Sequence, residues 1–227
     1  MNDHRSEEQE SASIDLGFVV REVDLFNPIP ALQKYLELIE AQIEEVQRCE
    51  RIALDADRPL TGNEEDLQAF WYKKDELERL FEEELVPTMR YSFIVLIHIV
   101  FETRLRRFCA AIRDERRLPV ALADVRGSAM EQAKTYLTKL AQLPITDFPE
   151  WHQLRVLQKI RDCIVHAYGY VAEWKDEKEI RELAAKGIGL TIDPWDRLVP
   201  TKAFCDQHLL CLDSFFRKLS EALGWTA

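Results

Sequence analysis

The sequence predicts an all-α protein, a bundle of long helices. Three observations carry this prediction. Only 7 of the 227 residues are glycine, as expected for long helices joined by few turns. Apolar residues make up 47% of the chain, which is enough for a soluble protein with a sizeable core. Apolar side chains also recur at steps of three and four residues through much of the sequence, and this is the period of one helix face.

The N-terminal part of the chain predicts a tail followed by a helical hairpin. Residues 1–20 are polar and acidic and are expected to form a flexible tail. An apolar stripe then alternates steps of four and three residues, at Leu32, Leu36, Ile39, Ile43 and Val46. Turn-forming residues follow near Ala56, and Asn63 is placed to cap a second helix with the stripe Leu67, Phe70, Leu77 and Phe81. Two helices with so short a connection should lie antiparallel, as a hairpin of residues 21–86.

Residues 87–227 are expected to form the helical core. Pro87 predicts a break before a central helix of residues 88–114, which is apolar nearly all round over residues 93–101 and should be buried. A shorter helix is predicted at about 128–140, and another from Pro149 past Tyr170. The segment GIGLTIDPWDRLVPT combines glycines, prolines and β-branched residues, which favours a short β-hairpin before the last helix. Thr201 is placed to cap that last helix.

Charge and cysteine content narrow the function classes. The net charge of −11 argues against an extended nucleic-acid-binding surface. A local basic cluster does exist at Arg104, Arg106, Arg107, Arg113, Arg116 and Arg117, and a solvated helix face explains it better than a binding surface does. Five scattered cysteines without a CxxC pair indicate reduced thiols. The N-terminus lacks a signal peptide, and the longest apolar run, residues 93–101, is too short to span a bilayer, so we expect a cytoplasmic protein with no membrane contact.

The segment RDCIVHAYG, residues 161–169, carries the strongest chemical signal. Arg161 is a permanent cation that can hold a phosphoryl oxygen by a bidentate hydrogen bond. Five positions later, His166 can transfer a proton near neutral pH. Asp162, four positions before the histidine, would share its helical face and could orient and charge the imidazole. These are the groups needed to cleave a phosphodiester without a metal ion. The alternative is a surface arginine next to a structural Asp162–His166 pair.

With its apolar spacer and the apolar helix upstream, this motif resembles that of the HEPN superfamily. These all-helical domains include metal-independent ribonucleases of toxin–antitoxin, phage-defence and CRISPR systems. The family motif is an arginine, a polar residue that is most often asparagine, a short spacer and a histidine. Tyr91–Ile112 looks like the family's central helix, and the resemblance covers about residues 87–224. Asp162 stands where asparagine is commoner, and Ala167 stands where a polar residue often follows the histidine.

The resemblance implies a symmetric homodimer that acts on RNA, with Arg161, Asp162 and His166 as catalytic residues. A dimer would also help the geometry, because a five-residue step places Arg161 and His166 about 140° apart on one helix. Two motifs that face each other across a two-fold axis could complete one cleft. The resemblance implies no cofactor and no metal ion, and it admits an antitoxin or another protein as a partner.

The central helix offers residues for a supporting role. Glu102 lies in so apolar a segment that its carboxylate needs a partner. That partner is either Arg161, which Glu102 would then position, or Arg106 one turn away. His98, on the same face, is expected to be a hydrogen-bonded core histidine.

Other candidates carry weaker signals. Tyr168 could support the site by stacking an RNA base, as could Tyr170, and both could equally pack at a dimer seam. Cys205, His208 and Cys211 look like metal ligands, but on a helix they fan out over about 120° and no fourth ligand is evident, which argues against zinc. Nothing resembles a phosphate-binding glycine loop, a nucleophile elbow or paired catalytic carboxylates.

The leading hypothesis is a metal-independent endoribonuclease, a toxin or phage-defence effector that leaves 2′,3′-cyclic phosphate ends. The alternative is a non-catalytic HEPN-like dimer that binds a nucleotide or a protein partner, and both the acidic charge and Asp162 favour it. A regulatory scaffold that works through the N-terminal hairpin is a weaker third interpretation.

Overall fold

The computed structural model describes residues 27–59, 63–172 and 174–225. Over these residues the chain is an all-α bundle with a short β-hairpin directly before the last helix, as predicted. Its helices are α1 (Ile29–Ala56), α2 (Glu64–Arg79), α3 (Val86–Arg116), α4 (Ala129–Thr135), α5 (Pro149–Ala167), α6 (Glu177–Ala185) and α7 (Lys202–Leu223). Two π-helical segments, Leu80–Leu85 and Tyr136–Leu140, follow α2 and α4. Strands β1 (Leu190–Ile192) and β2 (Leu198–Pro200) pair antiparallel. The predicted acidic tail, residues 1–20, lies outside the described residues.

Side-chain caps begin two of the helices where the sequence predicts them. The Asn63 Oδ1 accepts a hydrogen bond from the Asp66 N–H at 2.9 Å, at the start of α2. The Thr201 Oγ1 accepts one from the Phe204 N–H at 3.2 Å, at the start of α7. Each cap satisfies a backbone donor that has no partner inside its own helix.

The predicted break at Pro87 is wrong, because α2 runs through the π segment into α3 as one helix, Glu64–Arg116. A proline inside a helix has no N–H to bond the carbonyl four residues before it, here that of Glu83. The wide turn of Leu80–Leu85 directly precedes the proline, and the Arg197 Nη2 donates a hydrogen bond to the Glu83 carbonyl at 3.2 Å. The lost hydrogen bond is therefore replaced from the β-hairpin region.

Helices α1 and α2 form the predicted antiparallel hairpin. Contacts that move outward from their connection join Arg58 to Phe70, Arg51 to Glu82 and Glu40 to Arg90. Because later residues of the second helix meet earlier residues of the first, the two run in opposite directions. The predicted boundary between residues 86 and 87 falls inside the continuous helix, so the hairpin and the core share that helix.

The central part of α3 is buried, as predicted. Aromatic side chains of α3, α5 and α7 meet there and are almost fully buried: Phe101, Phe108, Trp151, Phe215 and Phe216. By length and composition, the helix Glu64–Arg116 would also pass as a membrane-spanning helix. The core helix of a soluble bundle meets the same test, and 44% of the qualifying window is buried inside the structure.

Candidate functional site

Helix α5 carries the predicted motif in its last two turns. Its buried side chains recur at steps of three residues, at Trp151, Leu154, Leu157, Ile160 and Cys163. This stripe packs α5 against α3 and α7, with His166 on the opposite, exposed face and Arg161 and Asp162 beside the stripe, towards α3. The helix ends just after His166, because Tyr168 and Gly169 adopt left-handed backbone angles, with φ of +51° and +81°. His166 is therefore exposed at the last turn, and Arg161 and Asp162 are half-buried.

Arg161 and Asp162 bond to each other. The Arg161 Nη1 donates to the Asp162 Oδ1 at 2.8 Å, and the two side chains are 26% and 22% exposed. The expectation that Asp162 pairs with His166 is wrong: no hydrogen bond or ion pair joins them in the described structure. The physical reason is that a permanent cation lies beside the carboxylate and attracts it more strongly than an imidazole one turn away.

The motif also faces a polar cluster at the seam between α3 and α5. Its members are His98 and Glu102 from α3 and Arg161 and Asp162 from α5. Burial lowers the pKa of His98, the carboxylates of Glu102 and Asp162 oppose this shift, and Arg161 adds to it. These charges therefore act on the buried imidazole from both helices.

Within this seam, Glu102 pairs with Arg106 and not with Arg161. The Glu102 carboxylate lies 3.8 Å from the Arg106 Nη2 and 3.8 Å from the His98 Nδ1. No ion pair joins it to Arg161 among the described residues, so the local alternative is the one that forms. His98 is a core histidine with 1% exposure, but neither ring nitrogen has a hydrogen-bond partner in the described structure, contrary to expectation.

His166 is held next to Trp174, a residue that the sequence did not single out. The two rings are nearly parallel, at an interplanar angle of 12°, and their centroids are 6.1 Å apart. Trp174 lines an open cleft of about 620 Å³, together with Lys175, Glu177, Lys178, Arg181, Glu182 and Ala185. A signal was available in the sequence, since this tryptophan stands at the start of a charged run shortly after the motif.

Tyr168 and Tyr170 flank the turn that ends the motif, and both are exposed. The Tyr168 hydroxyl shares a hydrogen bond with the Thr88 Oγ1 at 2.9 Å, and its ring meets the edge of Tyr91. Tyr170 pairs with Arg197 in an isolated β-bridge. The exposed rings leave both earlier interpretations open, stacking on a base and packing at a dimer seam.

The arginine cluster of α3 does not form one open basic surface. Arg104 is buried, with its guanidinium 4.4 Å from the centroid of the Phe216 ring. Arg113 pairs with Asp114 at 3.0 Å, and Arg116 donates to a backbone carbonyl. These contacts support the expectation of a helix face whose arginines pair with neighbouring groups, and not of a binding surface.

The cysteines and histidine of α7 lie in the core. Burial raises the pKa of the Cys205 and Cys211 thiols to about 12. The His208 Nδ1 makes a hydrogen bond with the Phe204 carbonyl at 2.9 Å. Within the described residues, no group of three or more His, Cys, Asp and Glu side chains is placed to hold a metal ion.

Comparisons with known proteins do not assign the chain to a family. No family model matches it, and searches of curated proteins and of solved structures also find no match. The resemblance to the HEPN superfamily therefore stays a prediction from the sequence motif.

Proposed function

We propose that this protein is a metal-independent endoribonuclease of the HEPN type, a toxin or phage-defence effector. The observation that supports the proposal best is the arrangement at the end of α5. An exposed imidazole, His166, lies on the same helix as the half-buried guanidinium of Arg161 and adjoins a cleft that contains three cationic side chains. The proton-transfer group and the phosphate-binding group thus both lie in the last two turns of α5, and the cleft adjoins the first of them through Trp174.

In the proposed reaction, His166 removes the proton from a ribose 2′-hydroxyl, and the 2′-oxygen attacks the adjacent phosphorus. The bond from phosphorus to the 5′-oxygen breaks, and that oxygen takes up a proton from water. Arg161 stabilises the charge on the phosphorane. The products are a 2′,3′-cyclic phosphate and a 5′-hydroxyl. Asp162 takes a different role from the one first expected, since it pairs with the guanidinium and must be displaced in part when a phosphate binds Arg161.

A homodimer is part of the proposal. Arg161 and His166 lie about 140° apart around α5, so a second copy would supply the missing side of the cleft. Exposed apolar side chains at Val165 of α5 and Ile99 of α3, 48% and 49% exposed, are available for such a contact. Light scattering should give about twice the chain mass of 26.6 kDa. A monomer at micromolar concentration would contradict the composite cleft.

The test of the chemistry is cleavage of single-stranded RNA in EDTA. Activity should persist in the chelator, and His166→Ala should lower it by about 100-fold or more, the usual contribution of a general base. His152→Ala is the matched control, because His152 is an exposed histidine at the other end of the same helix. Arg161→Lys should not restore the activity lost in Arg161→Ala, since a lysine cannot make the bidentate contact. Activity that requires added magnesium would overturn this mechanism.

A non-catalytic role is the second candidate, and the ion pair favours it. With Asp162 bound to it at 2.8 Å, Arg161 is neutralised locally, and His166 has no carboxylate partner among the described residues. Asp162→Asn separates the two candidates. If the protein is an enzyme, the substitution frees the guanidinium, and cleavage should stay equal or increase. If neither the wild type nor Asp162→Asn cleaves RNA, the non-catalytic role is correct.

A further inference from the structure

The cleft beside His166 has one aromatic wall and a cationic rim. Trp174 is half-buried, and its ring centroid lies 6.1 Å from that of His166 and 5.3 Å from the Lys175 Nζ. Lys178 and Arg181 lie further along the same wall, on α6. The cleft volume of about 620 Å³ falls in the range of small-molecule sites.

Most of the acidic side chains around the cleft are already paired. Arg181 bonds to Glu177 at 2.9 Å and to Asp196 at 2.6 Å. Lys159, outside the cleft, forms ion pairs with Asp176 and Glu179. Arg181 and Lys159 are thus each shared between two carboxylates, so the charge of these four acidic side chains is only partly compensated.

Two lysines of the cleft are left for a ligand. Lys175 and Lys178 form no ion pair with any described carboxylate, and both are exposed. Glu182 is the lining carboxylate that opposes them, and it is also exposed. The cleft lining thus carries three cations, Lys175, Lys178 and Arg181, against two carboxylates, Glu177 and Glu182, and this excess of one positive charge favours an anion next to the aromatic ring.

We propose that this cleft binds a nucleotide, with the base on Trp174 and the phosphate on Lys178 and Lys175. Stacking on an aromatic side chain combined with flanking cations is how proteins bind single-stranded nucleic acid without reading its sequence. Lys175 has a flexible side chain, so its ammonium can leave the ring face for the phosphate when a base arrives. If the proposed function holds, this nucleotide adjoins the scissile phosphate, because Trp174 contacts His166.

Binding is measured separately from cleavage, so that the two proposals can fail separately. The probe is a short fluorescein-labelled 2′-O-methyl oligouridylate, which lacks the 2′-hydroxyl and cannot be cut. Its anisotropy is followed with the full-length protein. Trp174→Ala should weaken binding by about 5- to 150-fold, the loss that corresponds to one base–aromatic stack. Trp174→Phe should lose less. Lys178→Glu should weaken binding and reduce the salt dependence, with a slope about 0.7 smaller per lost phosphate contact.

Lys73→Glu is the matched control, because it makes the same charge change on α2, outside the cleft. If Trp174→Ala and Lys178→Glu bind the probe no more weakly than Lys73→Glu, the cleft proposal is overturned. Should Trp174→Ala fail to fold, Lys178→Glu against Lys73→Glu decides alone.

The source of the nucleotide is decided by a second probe, uridine 5′-monophosphate, used as a competitor. Competition at concentrations close to those of the oligonucleotide would support the cleft and assign it to a free nucleotide, in line with the non-catalytic role. Competition only at far higher concentrations would support the cleft as an RNA subsite. Cleavage of RNA with unchanged binding in the cleft variants would overturn the cleft proposal and leave the ribonuclease intact. Binding that depends on the cleft, without any RNA cleavage, would support the cleft proposal and overturn the proposed ribonuclease.

Discussion

Substitution of Gly169 by alanine tests how closely the turn after His166 packs against Tyr91. Gly169 has a φ of +81°, which costs an alanine roughly 1–2 kcal/mol. A Cβ at this position would also lie 2.7 Å from the Tyr91 Cζ and closer still to the hydroxyl, so the ring must move. That ring is buried, and its hydroxyl donates to the Leu198 carbonyl. Forcing it aside adds about 1–3 kcal/mol, so the total loss should be about 2–5 kcal/mol.

Gly187→Ala separates the two contributions. Gly187 also has a left-handed φ, +67°, but a Cβ there would meet nothing within 4 Å. Its alanine should therefore show only the backbone cost of roughly 1–2 kcal/mol. Urea unfolding, followed by circular dichroism, gives the free energy of unfolding for both variants. If the two variants lose the same stability within about 0.5 kcal/mol, the steric argument at Tyr91 is wrong.

Two further predictions concern the stability of the folded chain. Glu40→Gln removes the carboxylate that bonds Arg90 at 2.8 Å. Because both side chains are less than a fifth exposed, the free energy of unfolding should fall by about 2–3 kcal/mol in urea titrations. A change near zero would show that α1 is held by its apolar contacts alone. Burial lowers the pKa of His98 and of His208, so below about pH 6.5 the unfolded chain binds more protons than the folded chain. The free energy of unfolding should therefore be highest above that pH and decline as the pH falls below it. His98→Phe should make that decline smaller, and a pH-independent midpoint in the wild type would contradict the assignment.

Local sequence features predicted most of the fold, and long-range contacts explain what they missed. The caps at Asn63 and Thr201 and the apolar stripes act within a few residues, so they can be read from the sequence. Pro87 misled the prediction because its effect on a helix depends on what else bonds the freed carbonyl of Glu83. That donor is Arg197, 114 residues away in the chain. A proline next to a π segment is therefore a break only if no distant side chain replaces the lost bond.

The same limit applies to the candidate site. Helical spacing indicates that Arg161 and His166 do not share one face of α5, and in the structure His166 is exposed while Arg161 is half-buried. The spacing did not predict which side chains of the motif would bond, since sequence spacing ranks neighbours by angle and ignores the stronger attraction of the adjacent guanidinium. Trp174 was missed because it follows the end of the helix, and only the turn at Gly169 brings the chain back to His166.

The end of α5 is held by backbone contacts and not by the Asp162 carboxylate. The Leu198 N–H donates to the Gly169 carbonyl at 2.9 Å, and the Val171 N–H donates to that of Asp196 at 2.8 Å. The β-hairpin region thus fixes the chain on both sides of the turn after His166. Removing the charge at Asp162 should consequently leave the imidazole in place and change only the guanidinium of Arg161. The effect of Asp162→Asn on RNA cleavage then measures how much the ion pair with Asp162 weakens the binding of phosphate by Arg161. This interpretation would not hold if the carboxylate also positioned His166.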